Sequence, residues 1–440
     1  MNEMYVKHLQ GMVQIPTVSN ADDSKMDFGQ FEKFHQYLEE IFPAIHSTME
    51  KKVIGKAGLL YKWKGKDSDK LPVLLMGHQD VVPEGDHDKW KYPPYSGEVA
   101  EGCIWGRGTT DCKCVILAEM ETVEALIKEG FQPDYDIYLA YGYNEEVQAP
   151  VKSAKEIVNY LKEQGVRLGC VFDEGSGITD GRVMGYDGYV CQVELGEKAY
   201  HDYEIYKDDA GGHSMEPGQG TALGSVSRAV VALEANPFPY RLTDIVENQL
   251  KAMSQCMTGE KAAVYADPKG HWEELCAMAK EDKKLDSLLH TTCAVTMASG
   301  SQQSNILPEH ASMIMNCRVL QGDTEESLLA HFRSVIPEDV QVRKVLGEDP
   351  EPASSVDGRP YKLIAEIAKA NYGEDTLVIP GLLAGGTDSR FFPVICDNVF
   401  RHTGFFRDAR WGAAHQVNEK IPCDALESAM KFYRELLLRY

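Results

Sequence analysis

Residues 71–83 read LPVLLMGHQDVVP, and this stretch decides how the chain folds. Its centre, residues 73–76, is a continuous apolar run, which predicts a buried strand within 71–82. Two polar side chains, His78 and Asp80, come at the C-terminal end of that strand. Because open parallel sheets bind ligands beyond the C-terminal ends of their strands, this end is the first candidate for a site.

The alternation of strand and helix continues along the chain. A predicted helix follows Asp111 and ends at Gly130, and its apolar residues recur at helical spacing: Ile116, Met120, Val123 and Ile127. Two further strands are predicted at 136–143 and 168–172, with a helix over 154–161 between them. This order predicts an α/β fold, a doubly wound and mainly parallel sheet with helices on both faces.

The pattern changes after residue 198. Strands are predicted at 201–206, 290–297, 311–319 and 340–345, and helices at 221–233 and 325–335. This mix predicts a smaller α+β domain inserted into the first one. The doubly wound pattern resumes with a helix at 361–370 and a C-terminal helix from Asp424. The predicted domains are a catalytic domain formed by 1–197 and 347–440, and an insert formed by 198–346.

Composition limits the classes of function. The 440 residues carry a formal net charge of −23, which argues against nucleic-acid binding because that role needs a basic surface. The first residues lack the basic start and apolar run of a signal peptide, and no apolar stretch approaches the roughly 20 residues of a membrane span. The eleven scattered cysteines, without a Cys-x-x-Cys pair, are typical of reduced thiols and favour a cytoplasmic location.

Acidic and histidine side chains collect at the predicted strand ends. Besides the His78–Asp80 pair, these are Asp111 before a helix, Glu145 and Glu146 after one strand, and Asp173 and Glu174 after another. Carboxylates crowded in this way would repel each other, and a pair of divalent cations would remove the conflict. A mixed set of imidazole nitrogens and carboxylate oxygens favours zinc, and manganese or cobalt would also fit.

Each of these signals has a simpler reading on its own. A His-x-Asp pair is usually a surface or helix-terminal pair, two adjacent glutamates are usually a solvated acidic pair, and Asp111 alone reads as a helix N-cap. The ordered set, with each member at the right end of a strand or turn, favours a metal site.

Several longer motifs resemble those of the M20 metallopeptidases, over nearly the whole chain. They are residues 77–83 (GHQDVVP), 105–113 (WGRGTTDCK), 144–146 (NEE), 172–175 (FDEG), 211–217 (GGHSMEP), 304–308 (SNILP), 385–390 (GGTDSR) and 415–421 (HQVNEKI). The last two motifs are most similar to the carboxypeptidase S and N-acyl-amino-acid hydrolase branch.

The resemblance implies a two-zinc centre. Asp111 would bridge both metals, His78 and Asp173 would complete one site, and Glu146 and His415 would complete the other. The acid adjacent to Asp173, Glu174, is the open alternative, since members of the family use either acid at this strand end.

The resemblance also implies roles around the metals. Asp80 would hydrogen-bond the distal nitrogen of His78 and fix its tautomer, and Glu145 would be the general base that takes a proton from water and hands it to the leaving amine. His213, in the insert, would stabilise the oxyanion, usually in the active site of the partner subunit. The remaining substrate contacts would come from Asn305, Arg318, Gly385, Gly386 and Arg390.

The predicted function is therefore a two-zinc metallohydrolase that cuts the amide bond of a short peptide or an N-acyl amino acid with a free carboxylate. Carboxypeptidase or dipeptidase activity and aminoacylase activity share this mechanism, and the sequence leaves both open. The resemblance implies a homodimer formed through an inserted α+β sandwich that also acts as a lid. A non-catalytic peptide-binding protein should lack the base, and Glu145 is present. A serine hydrolase would need a Gly-x-Ser-x-Gly elbow, which is missing from the sequence.

One segment departs from the family pattern. Members usually follow the glutamate pair with glycines, whereas here residues 147–150 read VQAP. The departure changes the wall near the base. It puts the analogy of substrate in doubt and leaves the metal site untouched.

Overall fold

The computed structural model describes residues 3–67 and 69–440. The strands are β1 (Glu50–Ile54), β2 (Gly58–Trp63), β3 (Val73–His78), β4 (Glu98–Ala100), β5 (Cys103–Trp105), β6 (Ile137–Gly142), β7 (Cys170–Asp180), β8 (Tyr189–Glu197), β9 (Ala199–Asp208), β10 (Gly212–His213), β11 (Thr292–Ser299), β12 (Ile306–Leu307), β13 (His310–Val319), β14 (Gln341–Gly347), β15 (Leu377–Leu383), β16 (Val399–Arg407) and β17 (Lys420–Pro422).

The helices are α1 (Glu3–Val13), α2 (Phe28–Ile41), α3 (Pro43–Thr48), α4 (Lys113–Lys128), α5 (Ser153–Glu163), α6 (Ala222–Ala235), α7 (Asp244–Ser254), α8 (Gly259–Ala266), α9 (Trp272–Glu281), α10 (Lys283–Leu289), α11 (Glu325–Val335), α12 (Arg359–Tyr372) and α13 (Ala425–Arg439). Among the described residues, no helix is both long enough and apolar enough to span a membrane.

A large sheet organises the chain, with the strand order β1-β2-β6-β3-β7-β16-β8-β15. Its centre is parallel, since β6 pairs with β3, β3 with β7, and β7 with β16 in parallel register. Strands β1 and β2 extend one edge in antiparallel register, and β8 runs antiparallel to β7. The predicted fold class, a mainly parallel doubly wound sheet, is confirmed.

Helices cover both faces of this sheet, as the alternation of side chains along a strand requires. On β3, Val73 and Leu75 point into the core that α4 and α13 share. Their neighbours Leu74 and Met76 point the other way, into a core built with α5. All four side chains are buried, which explains why this strand reads as an unbroken apolar run.

A second, four-stranded sheet in the order β11-β13-β9-β14 is antiparallel throughout. Helices α6 and α11 pack on it through a separate apolar core that includes Tyr203, Val226 and Phe332. We call this sheet with its two helices the lid. Its separate core agrees with the predicted α+β insert.

Helices α7 to α10 lie inside the predicted insert by sequence, but they pack elsewhere. Val246, Leu250, Leu275 and Leu285 belong to the same core as β3 and α4. The predicted elements leave residues 234–289 unassigned, and apolar periodicity alone does not indicate which sheet a helix covers. The division at residues 198 and 346 stays a prediction.

Candidate metal centre

The ends of the parallel strands bring the predicted residues together. His78 is the last residue of β3, Glu145 and Glu146 follow the end of β6, and Asp111 lies just before α4. Neighbouring parallel strands end at the same edge of the sheet, so the polar groups that follow them lie close together.

Asp111 lies at the centre of the site and faces two histidines. One carboxylate oxygen is 2.9 Å from His78 Nε2, and the other is 3.1 Å from His415 Nε2. The first group is completed by Glu174, whose Oε1 is 3.4 Å from His78 Nε2. The second is completed by Glu146, whose Oε2 is 2.8 Å from His415 Nε2. In each group, potential ligand atoms lie within 4.8 Å of one another, and Cys112 is also within the first.

The donor chemistry of these groups fits two divalent cations. Each group offers one imidazole nitrogen and carboxylate oxygens, the set expected for zinc at an open site. The Oε1 atom of Glu146 is buried and has no hydrogen-bond partner among the described residues. A buried carboxylate oxygen without a partner is costly, and a cation would satisfy it.

Ionisation at the site shows the same requirement. Burial, together with the charge of Asp111, raises the pKa of Glu174 to about 8, and burial raises the pKa of Glu145 well above its usual value. Hydrogen bonds to Asp111 and Glu146 raise the pKa of His415 to about 10. The acids are thus crowded enough to oppose each other's ionisation, and divalent cations would offset that crowding.

A bulge in β7 determines which acid reaches His78. Asp173 pairs with Arg401 on β16, but the next pair is Ser176 with His402, so Glu174 and Gly175 have no partner on that strand. A β-bulge re-aims the side chains it contains. Gly175 has φ of 149°, and a Cβ there would lie 2.5 Å from the carbonyl oxygen of Arg401, so only glycine fits.

Asp173, the acid favoured from the sequence, is oriented differently from Glu174. Its two carboxylate oxygens accept hydrogen bonds from the backbone N–H groups of Glu174 at 2.8 Å and Ser389 at 2.9 Å. The geometry therefore favours Glu174, the open alternative, as the ligand. Strand alternation alone could not reveal this, since the bulge arises from pairing with a strand more than 200 residues away.

Asp80 contacts more than its predicted partner. The backbone carbonyl of Asp80, rather than its carboxylate, accepts the hydrogen bond from His78 Nδ1 at 2.9 Å, and the carboxylate lies 3.5 Å from that nitrogen. The same carboxylate accepts the backbone N–H groups of Glu145 at 3.0 Å and Glu146 at 3.2 Å. The carboxylate thus holds the backbone of Glu145 and Glu146, while the Asp80 backbone carbonyl orients the histidine.

Glu419 joins the two distant halves of the site, and the sequence analysis assigned it no role. Its buried carboxylate accepts hydrogen bonds from the Thr110 amide at 2.8 Å and the Asp111 amide at 3.3 Å, and it pairs with Arg107 at 2.5 Å. His415, four residues earlier, has φ of 62°, a left-handed conformation that only a firmly held loop sustains. The position of Glu419 within the motif 415–421 was the signal in the sequence that could have indicated its role.

Of the predicted residues of the insert, His213 and Asn305 lie together, and Arg318 lies near the other end of β13. His213 pairs with Ile306 in a short two-stranded sheet, and the carbonyl of Asn305 accepts the amide of Ser214 at 3.0 Å. Arg318, on β13, places its guanidinium 4.8 Å from the centre of the Tyr200 ring. Within residues 3–67 and 69–440, no hydrogen bond or ion pair joins these three side chains to the metal groups.

Arg390 and the glycine pair lie on the catalytic side. Arg390 donates a hydrogen bond to the Thr387 carbonyl at 2.9 Å and lies 4.7 Å from the centre of the Phe391 ring. It lines a cavity of about 450 Å³ between the large sheet and the start of the lid. A Cβ on Gly386 would lie 3.3 Å from Arg390 Nη1, whereas at Gly385 the nearest atom is 3.9 Å away.

Comparisons with known proteins agree with this arrangement. Residues 74–439 match the model of peptidase family M20/M25/M40. The chain is 31% identical to "Probable carboxypeptidase S-like 1" of Dictyostelium discoideum, over 96% of the chain and 84% of that protein. It is 28% identical to "N-fatty-acyl-amino acid synthase/hydrolase PM20D1" of Homo sapiens, over 98% of the chain and 86% of that protein.

A solved structure shows the same fold. The M20 family metallo-carboxypeptidase Sso-CP2 from Sulfolobus solfataricus matches with a TM-score of 0.72 at 18% identity, over 99% of each chain. The family match covers most of the sequence and includes the strand-end motifs that form the site. The chain therefore belongs to peptidase family M20/M25/M40, as its motifs predicted, and is a hydrolase of that family.

Proposed function

We propose that the protein is a two-zinc hydrolase that cuts the amide bond of short peptides or N-acyl amino acids bearing a free carboxylate. The observation that carries the proposal is the position of Asp111, whose two oxygens face two separate ligand groups. Manganese or cobalt would suit the same ligands. The ligands we assign are His78, Asp111 and Glu174 for one ion, and Asp111, Glu146 and His415 for the other.

Glu145 is the general base in this proposal. No hydrogen bond to its carboxylate is found among the described residues, while Asp80 holds its backbone in place. Zinc, when bound, would lower the pKa of water and polarise the substrate carbonyl. Glu145 then takes one proton from the attacking water and delivers it to the departing nitrogen. The products are a carboxylic acid and an amine.

The remaining site residues bind the substrate. Arg390 and Arg318 offer guanidinium groups for the free carboxylate, which can accept two parallel hydrogen bonds. Gly385 and Gly386 leave the backbone open to a close approach. His213 and Asn305, which lie together at the short sheet of β10 and β12, would stabilise the charge that develops on the carbonyl oxygen.

The names of the relatives support two substrate classes. One relative is named a probable carboxypeptidase S-like protein, and another an N-fatty-acyl-amino acid synthase/hydrolase. Both names describe cleavage next to an amino acid, which is the reaction that this site favours. We place the peptidase activity first and aminoacylase activity second.

A substrate panel tests the proposal. Zinc-loaded protein is expected to hydrolyse at least one dipeptide or N-acyl amino acid, and amidation of the substrate carboxylate should reduce kcat/KM by about 10²-fold because a charge-assisted pair is lost. The measurement is release of free amino acid, with metal-free protein as the control. No hydrolysis of any compound by protein with two zinc ions bound would contradict the proposed function.

The two adjacent acids of β7 give a matched pair of variants. Glu174→Gln is expected to lower the affinity for one of the two zinc ions by more than about 100-fold. This loss exceeds the effect of removing a residue that only contacts a metal ligand. Asp173→Asn should keep both ions, because its carboxylate is already engaged by backbone amides. Zinc titration followed by calorimetry measures both. Loss of an ion from Asp173→Asn alone would return the ligand role to Asp173.

We also propose a homodimer formed through the lid. Strand β11 is an edge of the four-stranded sheet, so its outer hydrogen-bonding groups can pair with a second copy. Met297 on this strand and Val231 on α6 are each 65% exposed, and both are apolar. A symmetric pair of lids would cover these side chains and bring His213 close to the partner's active site.

Light scattering tests the dimer. The native protein is expected to have twice the chain mass of 49.0 kDa, and the double variant Met297→Lys with Val231→Asp should have the mass of one chain and lose activity. Val183→Asp is the matched control, since Val183 is 80% exposed and lies outside the lid. A native single chain with full activity would exclude a partner's His213 from catalysis.

A further inference from the structure

Lys152 holds the loop that carries the base and a metal ligand. Its side chain is 7% exposed, and Nζ donates to the backbone carbonyls of Asn144 at 2.7 Å, Glu145 at 2.9 Å and Val147 at 2.8 Å. An ammonium group has three protons, so these carbonyls use its whole donor capacity. The cation therefore occupies the centre of one turn of backbone.

The backbone N–H groups of the same loop are held by an anion. The Asp80 carboxylate accepts the amides of Glu145 and Glu146, while Lys152 holds the carbonyls. The loop is thus fixed between two buried charged groups of opposite sign. Such charge-assisted hydrogen bonds are roughly twice as strong as neutral ones.

Helix α5 ties Lys152 to the same segment. Asn144 Oδ1 accepts the amide of Ser153, the first residue of α5, at 2.9 Å, and Asn144 Nδ2 donates to the Val151 carbonyl at 2.8 Å. The loop therefore caps the helix, and the helix presents Lys152 to the loop. Residues 147–150 of this chain read VQAP, where members of the family usually have glycines. The conformation of this loop is held by the Lys152 side chain.

The charge of Lys152 is not used up in a close ion pair. Its nearest carboxylate oxygen, Asp388 Oδ1, is 3.9 Å away, and neither Asp388 oxygen has a hydrogen-bond partner among the described residues. Burying a cation is costly unless its hydrogen bonds are complete. The three loop carbonyls meet that need, which makes the position of the loop depend on Lys152.

We propose that Lys152 is a positioning residue, which fixes the directions of the Glu145 and Glu146 side chains through their shared backbone. Glu145 and Glu146 are adjacent, so a rotation of this turn displaces the base and the metal ligand together. The inference rests on the proposed function for its catalytic consequence. Its structural part, the order of the loop and the affinity for metal, stands without it.

The test compares Lys152→Met with Lys152→Arg. Methionine keeps the apolar stem and removes the three donors, while arginine keeps positive charge and donors. Lys162→Met is the matched control, because Lys162 lies on α5, the helix that Lys152 precedes, and is exposed. The readouts are amide hydrogen exchange of residues 144–150, zinc affinity, and kcat and KM measured separately.

Lys152→Met is expected to speed exchange in the loop at least about tenfold and to lower kcat and the affinity of one zinc ion by about 10–100-fold, the scale of losing an outer contact to a metal ligand. KM should change less than about threefold, since substrate contacts stay in place. Lys152→Arg should recover part of each loss, and Lys162→Met should match the native protein.

Three results separate the two ideas. Loop exchange and zinc affinity within twofold of the native values in Lys152→Met would overturn the inference, whatever the activity. If Lys152→Met fails to fold, a Lys152→Arg protein without any change in kcat, zinc affinity or loop exchange would overturn it. A native protein without hydrolytic activity would defeat the proposed function, while faster exchange and weaker zinc binding in Lys152→Met would still support the positioning role.

Discussion

Glu145→Gln is expected to lower kcat by about 10²–10⁴-fold, the range for loss of a general base, while both metal ions remain bound. Glutamine has the shape of glutamate but cannot take a proton from water. The two ligand groups do not include the Glu145 carboxylate, so their affinity for metal should not fall. The backbone N–H of residue 145 keeps its bond to Asp80, and the turn stays in position.

The measurement is a steady-state assay on the best substrate of the panel, with zinc content determined on the same samples. Glu163→Gln, at an exposed position on α5, is the matched control and should behave as the native protein. KM should be nearly unchanged, because the base contributes in the transition state. If Glu145→Gln retained kcat within tenfold of the native value, the base would have to lie elsewhere.

Asp111→Asn is expected to lose both metal ions and to lower kcat/KM by at least about 10³-fold, since metal chemistry supplies several kcal/mol. Asparagine provides a single carbonyl oxygen in place of the two carboxylate oxygens that face His78 and His415. Hydrogen bonds from His415 and His78 lower the pKa of Asp111 despite its burial, so the native group is an anion that an amide cannot replace.

Metal analysis after gel filtration measures the loss directly. Asp134→Asn is the control, because Asp134 lies at the surface beside Lys66 and Lys70. Loss of a single ion, with the other fully retained, would show that Asp111 serves one group only. It would contradict the shared position inferred from the geometry.

The convergence of the site could be predicted because it depends on local patterns. His78, Asp111 and Glu146 follow strand ends or turns that the sequence marks clearly, and parallel strands end at one edge. His415 lies on no predicted element and was assigned only through the resemblance of its motif to the family. The choice between Asp173 and Glu174 could not be made in this way. It depends on the bulge opposite β16, a pairing between segments far apart in sequence.

Side-chain partners were predicted less well than strand positions. The Asp80 carboxylate was assigned to His78, but it accepts the backbone amides of Glu145 and Glu146, and the Asp80 backbone carbonyl accepts the bond from His78. Lys152 and Glu419 received no role, since a lysine or a glutamate in a loop usually reads as a solvated surface group. Only burial shows that each is surrounded by backbone groups it must satisfy.

The tie between Glu419 and the turn at Thr110–Asp111 has a consequence for synthesis. A ribosome makes His78 and Asp111 long before His415 and Glu419, so a growing chain would hold an incomplete set of the proposed ligands until its last tenth is translated. Prematurely terminated products that stop before residue 415 would therefore lack amide-cleaving activity, however well their first sheet folds. Activity measured in a cell would therefore come only from chains translated past residue 415.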